Sequence, residues 1–488
     1  MHNRTLALFQ GQIETALKNF RTDLELRMRS LFSDLHIQSH LTGAGIRKCE
    51  GYAPLHLLFV MVNMMFLPIK TVHALMQKPL AHFFQAHKDT FYRFKKGEWS
   101  WRPFYRRFLA FLGQSLKWSS TSKDNYLILD TTVLPKRGKT MENLSLVYDH
   151  SKGKTVPGYE VLTLGLLTPQ NFYPLDFDFR FSSKSPKGAG EARPLKPRGE
   201  TARRLQEGRE LEKPALALKM LKAAIAQGIP ALCLLVDSWF TSPKFCKAVC
   251  KAVKELNPKL KLNIIGRLKR GKTLYYLDGV GYTLTQLYQA HKHHLTWAAE
   301  LGLSLIRVPV TCGNGLPGAI VFTKGYKEPD PEGRPQGKKK NKPSWTGFFT
   351  TDLTLNAIQV VQKYMCRWSI EVFFKEAKQR LELGHEQGHS FAAQVFSVLK
   401  AFLGYSLLAY LLEKDEQSET IGDIFRQLEE ETGKLTFMER LQQHFSTFLK
   451  TALDTLADFC NPDPGFRSYL DIITNVFNQF FPLRGCET

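Results

Sequence analysis

The chain has 488 residues, 43% of them hydrophobic and 12% aromatic, with a formal net charge of +22 from 67 basic and 45 acidic side chains. That length predicts two to four domains, and the apolar content excludes a chain disordered throughout. The cation excess points to a polyanionic partner, nucleic acid before anionic membrane.

Residues 4 to about 120 read as helical. Phe9, Ile13, Leu17, Phe20 and Leu24 recur at helical spacing, and Pro54 and Thr71 are candidate helix starts. The opening MHNRTLALFQGQIETALK holds no uninterrupted apolar run of the kind a signal peptide needs. Within HKDTFYRFKKGEWSWRPFYRRF (87–108), aromatics interleave with Lys and Arg. Asp89 is a candidate cap for a short helix presenting Tyr92, Arg93, Lys95 and Lys96, a candidate DNA-contacting helix.

From Asn125 the pattern changes to strands. YLILD (126–130) reads as a continuous apolar strand ending in Asp130, and YEVLTLGLLT and NFYPLDFDF follow as an antiparallel meander. Ser182–Arg204, rich in Pro, Gly and cations, reads as a basic loop. A helix over about 213–228 feeds a second buried strand, ALCLLVD, which ends in Asp237. Ser242-Pro243 then opens a helix with a capping hydroxyl and a first-turn proline. This succession predicts a mixed α/β core of RNase H-like order.

Residues 260–351 read as β-rich, interrupted by the loop RPQGKKKNKP with Lys338, Lys339, Lys340 and Lys342. GRLKRGKT (266–273) matches the phosphate-binding pattern G-x4-G-K-T, so a P-loop ATPase stands as the alternative enzyme. That loop needs a helix N-terminus directly after its Lys-Thr, whereas LYYLDGVGYTL predicts a hairpin. Eight scattered cysteines without a CxxC pair read as reduced thiols of a cytosolic protein. Of two apolar runs, Leu55–Ile69 is too short to span a bilayer. Phe391–Leu412 contains Gln394, Lys400 and two serines and reads as a buried helix, so no membrane association is expected.

The helical stretch KYMCRWSIEVFFKEAKQRLE (363–382) follows, with Ser369 a candidate break. At 100° per residue Tyr364, Arg367, Glu371 and Lys378 share an arc of about 60°, with Lys375 close by, while Ile370, Phe373, Ala377 and Leu381 face the other way. A solvated face with an i,i+4 ion pair has the same pattern. Three carboxylates in the order Asp-strand, Asp-strand, Glu-helix, in a basic chain, favour a metal site instead. Asp130, Asp237 and Glu371 would suit Mg²⁺ or Mn²⁺, and two such ions would serve phosphoryl transfer.

Tyr364-x2-Arg367-x3-Glu371-x6-Lys378 matches the Y-x2-R-x3-E-x6-K signature of bacterial insertion-sequence transposases, the group named after insertion sequence four. With Asp130 and Asp237 upstream, the chain resembles that group over roughly residues 120–390. The resemblance implies an α/β RNase H-like catalytic core with a β-rich insertion, flanked by helical N- and C-terminal regions. The divisions expected are a DNA end-binding region (1–120), the first part of the core (121–259), the insertion (260–351), the glutamate helix (352–390) and a C-terminal region suited to oligomerisation (391–488). It implies a cytoplasmic, metal-dependent endonuclease and strand transferase acting as a homodimer on double-stranded DNA, at terminal inverted repeats and target. A hairpin intermediate is also implied. Arg367, Lys375 and Lys378 would hold phosphates, and Tyr364 would contact the same backbone. Trp345, just after the lysine loop, would stack on a flipped base.

Overall fold

The architecture comes from a computed structural model that describes residues 23–48, 50–67, 69, 71–76, 87–118, 124–138, 140–149, 152–182, 199–326, 345–415 and 417–430. The periodic positions Phe9 to Phe20, most of the basic loop before Arg204, the lysines 338–342 and residues 431–488 lie outside these.

Helices fill the described part of the first 120 residues: α1 (Asp23–Asp34), α2 (Ile37–Gly43), α3 (Pro54–Asn63), α4 (Val72–Met76), α5 (Lys88–Lys96) and α6 (Trp101–Ser115). Pro54 occupies the first turn of α3, where its missing N–H costs nothing. The Thr71 hydroxyl accepts from the Ala74 N–H at 3.0 Å to start α4. Helix α5 is capped by His87, not Asp89: the His87 ring accepts from the Asp89 N–H at 3.4 Å, leaving Asp89 inside the first turn.

Strands β1 (Tyr126–Pro135), β2 (Ser145–Asp149), β3 (Lys154–Leu167) and β4 (Phe172–Arg180) form an antiparallel group. Asp130 lies in mid-strand, because Thr131, Thr132 and Val133 are β-branched and keep pairing with β3. Helices α7 (Glu200–Glu210) and α8 (Lys213–Ala226) lead to β5 (Cys233–Val236), parallel to β1. Arg204, expected in a loop, is buried in α7. After α9 (Pro243–Leu256), capped by the Ser242 hydroxyl, β6 (Asn263–Arg267) pairs parallel to β5.

The strands that follow do not form a separate sheet. β7 (Leu274–Leu277), β8 (Val280–Thr283), β9 (Thr296–Ala298), β10 (Leu303–Cys312), β11 (Pro317–Lys324) and β12 (Trp345–Thr350) extend the same sheet, with β12 antiparallel to β6. The twelve-stranded order is β2-β3-β1-β5-β6-β12-β11-β10-β7-β8, with β4 on β3 and β9 on β10. The P-loop alternative fails here: Lys272 and Thr273 lead into the β7–β8 hairpin, and the next helix, α10 (Leu284–His291), starts only after it.

Helices α11 (Ala357–Met365), α12 (Trp368–Gln379) and α13 (Phe391–Leu412) follow, and residues 421–430 are helical as well. Although α13 is long and apolar enough to cross a membrane, nearly all its residues are buried within the protein, where it packs on α5, α6 and β4. One hydrophobic cluster runs from Met28 through the sheet to Leu428. A buried ionic network ties the N-terminal helices to it. Arg102 on α6 bonds Asp176 at 2.9 Å and Asp178 at 2.8 Å on β4, Arg106 bonds Asp176 at 3.0 Å, and Arg204 on α7 bonds Asp178 at 3.3 Å and Glu200 at 2.8 Å.

Candidate active site

The parallel pair β1–β5 ends at the register Leu129↔Val236, so Asp130 and Asp237 follow side by side at its carboxyl end. Open α/β sheets place ligands outside such strand ends. Backbone amides orient both side chains: the Thr131 N–H donates to Asp130 Oδ1 at 2.7 Å, and the Trp239 N–H to Asp237 Oδ1 at 3.0 Å. The turn after Asp237 is held by the Thr241 hydroxyl, which donates to the Asp237 carbonyl at 2.7 Å. Burial, followed by the charge of Asp130, pushes the Asp237 carboxyl up to about 6, against the opposing pull of the Trp239 amide, Arg367 and Lys213.

Glu371 arrives from the other side of the chain's order. Helix α11 starts with a reciprocal cap between Asn356 and Gln359 and stops at Met365. A turn at Cys366 and Arg367 re-aims the chain into α12, so the break lies two residues before Ser369. On α12, Ile370, Phe373 and Ala377 are fully buried. The Phe373 ring lies 5.3 Å from Phe172 of β4 and 4.8 Å from Tyr405 of α13. Glu371, two residues before Phe373 and so about 160° away around the helix, is turned to the opposite side. There the Arg367 guanidinium forks, one nitrogen on Asp130 Oδ2 at 2.7 Å and the other on Glu371 Oε1. Arg367 is 5% exposed, so this two-pronged pair is largely shielded from water.

Asp130, Asp237 and Glu371 offer carboxylate oxygens, the donor type that hard divalent cations take. Three carboxylates face one shared guanidinium, and Lys213, the other cation acting on Asp237, is engaged by Glu160 at 2.5 Å. Among the described residues, no three His, Cys, Asp or Glu side chains are gathered tightly enough to form a ready ligand group. Arg367 holds two of the three carboxylates instead.

Residues 61–282 match the family model of DDE superfamily endonucleases. The match contains Asp130 and Asp237 and stops short of Glu371. No curated protein matches the chain. The match supports a DDE-type, RNase H-like nuclease domain, and the mixed sheet flanked by helices fits it. Proteins of this kind act on DNA and use divalent metal ions.

The other residues singled out from the sequence are dispersed. Tyr364 is 1% exposed and packs against Phe348 with ring centres 4.6 Å apart, so it braces the end of α11. Lys375 and Lys378 lie on the Glu371 side of α12 and are partly exposed. Desolvation holds Lys378 below the usual lysine range, opposed by nearby Asp149. On α5, Lys95 bonds Glu386 at 2.8 Å and lies over the Tyr92 ring, while Arg93 and Lys96 face solvent. Trp345 stacks on Tyr288 at 4.2 Å and 12°, with the Arg270 guanidinium 3.8 Å from its ring centre. Its ring is thus already engaged within the β7–β12 region.

Three residues escaped the sequence reading. Trp239, two positions after Asp237, is 59% exposed, and Lys213 and Lys269 place ammonium groups 5.0 and 5.4 Å from its ring centre. The signal was present in VDSWF: a large aromatic immediately past a strand-end acid has no strand left to bury it.

Proposed function

We propose that this chain is a metal-dependent DNA transposase of the Tyr-Arg-Glu-Lys signature group, excising and inserting an insertion sequence by phosphoryl transfer. The observation that carries the reading is Arg367, which bonds Asp130 and Glu371, distant in sequence, and acts electrostatically on Asp237. The family match over 61–282 supports the nuclease core, and the signature spacing supports the finer assignment.

In this reading Asp130, Asp237 and Glu371 would hold Mg²⁺ or Mn²⁺, which supplies activation of a water or 3′-hydroxyl and stabilises the departing oxygen. The protein's own groups set the stage. The Thr131 and Trp239 amides fix the aspartate rotamers, and Arg367 fixes Asp130 relative to Glu371 while balancing their charge. Lys375 and Lys378, one and two turns beyond Glu371, hold backbone phosphates and position the scissile bond without reading bases. The proposed sequence is nicking at terminal inverted repeats, a hairpin on the element end, and strand transfer, within a homodimeric complex.

The test is a supercoiled plasmid carrying the coding region and its flanking DNA, incubated with the purified protein and Mg²⁺ or Mn²⁺. The reading predicts cleavage at a pair of inverted repeats, stopped by chelator. Binding of that DNA without cleavage in either metal would leave a DNA-holding derivative in place of the enzyme.

A further inference from the structure

Two adjoining grooves run beside α9, the first of them lined by Trp239, two residues past Asp237. The first, about 980 Å³, is lined by Tyr148, Lys213, Trp239 and Lys244 and also by Glu160 and Glu212, which pair with Lys213 and Arg180; the second, about 710 Å³, by Lys244, Lys247, Lys251 and Tyr276. They share Ser242, Lys244 and Ala248. On α9, Lys244, Lys247, Lys251 and Lys254 are spaced by three, four and three residues and share one exposed face. Phe245, Cys246, Val249, Ala252 and Val253 bury the other. Like charges at these spacings weaken a helix unless something neutralises them. Among the described residues local compensation is slight: Lys251 has the exposed Glu255 at 3.7 Å, and Lys247 reaches the Asn314 carbonyl at 2.5 Å. At the start of the row the Trp239 ring is 59% exposed between two ammonium groups, and Tyr148, also lining the first groove, is 50% exposed.

A lysine face alone is a solvated face. Joined to a solvent-facing tryptophan beside the carboxylates, it has the composition of a single-strand track, a stacking platform followed by phosphate contacts. We propose that a single DNA strand passing Asp237 stacks a base on Trp239 and lays its phosphates along Lys244, Lys247 and Lys251. This rests on the chain being a DNA-processing protein, and not on its cleaving DNA.

The experiment uses the full chain in Ca²⁺ and a duplex with a single-stranded extension carrying 2-aminopurine. The proposal expects 2-aminopurine quenching with wild type, retained by W239F and lost by W239A, with roughly 5- to 100-fold weaker binding of the extension by W239A. It expects the K244A/K247A/K251A variant to flatten the salt dependence of single-strand binding by about two units of slope, at roughly 0.7 per contact. K222A/K261A/K292A, with the same charge change on exposed lysines elsewhere, should leave the slope near wild type. Equal flattening by both triple variants, or unchanged quenching in W239A, would overturn it. Because these readouts are binding alone, a wild type that never cleaves leaves the track standing, and a track that fails leaves cleavage untouched.

Discussion

Replacing Asp237 by Asn should make the protein more stable at neutral pH while destroying the proposed site. In the folded chain Asp237 titrates at about 6, against 3.8 for an unperturbed aspartate, because burial and Asp130 both disfavour its charge. A carboxyl raised in this way gives a benefit that is fully present below the unfolded value and is lost as pH climbs through the folded one. The difference is roughly two units, at about 1.4 kcal/mol each, so ionisation costs the native state up to about 3 kcal/mol above pH 7. Asn keeps the oxygen that accepts from the Trp239 amide and removes the charge. Urea unfolding of D237N and wild type from pH 5 to 8 should therefore give curves that diverge as pH rises, with the variant more stable by about 2 kcal/mol at pH 7.5 after allowing for partial solvent access. Parallel pH profiles, or a variant less stable at pH 7.5 than at pH 5 relative to wild type, would refute the reasoning.

Further outcomes follow from the neighbouring groups. Arg367→Ala leaves the Asp130 and Glu371 carboxylates without their shared cation and should cost about 3 kcal/mol, part of it recovered in Mg²⁺; an unchanged urea midpoint would contradict the pairing. Lys378→Met removes a lysine that is disfavoured as a cation by desolvation, so it should hold or raise the midpoint at pH 7 while lowering the salt slope of duplex binding by about 0.9. A fall in stability with wild-type binding would make Lys378 purely structural. Arg102→Ala removes one of the two cations bonded to each of the buried Asp176 and Asp178, leaving Arg106 and Arg204, and should cost about 3 kcal/mol by denaturant titration. A loss under 1 kcal/mol would show that the N-terminal helices are not anchored there.

The local signals in the sequence that proved most legible were chemical. The proline of α3, the hydroxyls of Thr71 and Ser242 and the apolar strands leading to Asp130 and Asp237 each act through neighbours in sequence, and their structural roles could be read there. So could the face of α12 that sends Glu371 away from Phe373. What depended on distant partners was hidden. Nothing near Arg367 in sequence says that its fork closes on Asp130, 237 residues away, and so withdraws it from the surface. Asp176 and Asp178 read as polar positions of an alternating strand, yet they are buried under arginines from two helices. The β-rich character of residues 260–351 was legible in their alternating and turn-separated runs, but their pairing partners were not. Only the register of β12 on β6 reveals that they prolong the central sheet. Trp345 was hidden for the same reason, because its stacking partner Tyr288 lies 57 residues upstream.

The claim at the centre of this account is that Asp130, Asp237 and Glu371 work as one site, and near-isosteric removal of each charge tests it most directly. D130N, D237N and E371Q should each stay folded under assay conditions and bind the plasmid's element ends with wild-type affinity, and yet lose Mg²⁺-dependent cleavage. Cleavage at the wild-type rate by any one of them, in a sample that is fully folded, would remove that residue from the site and contradict the account.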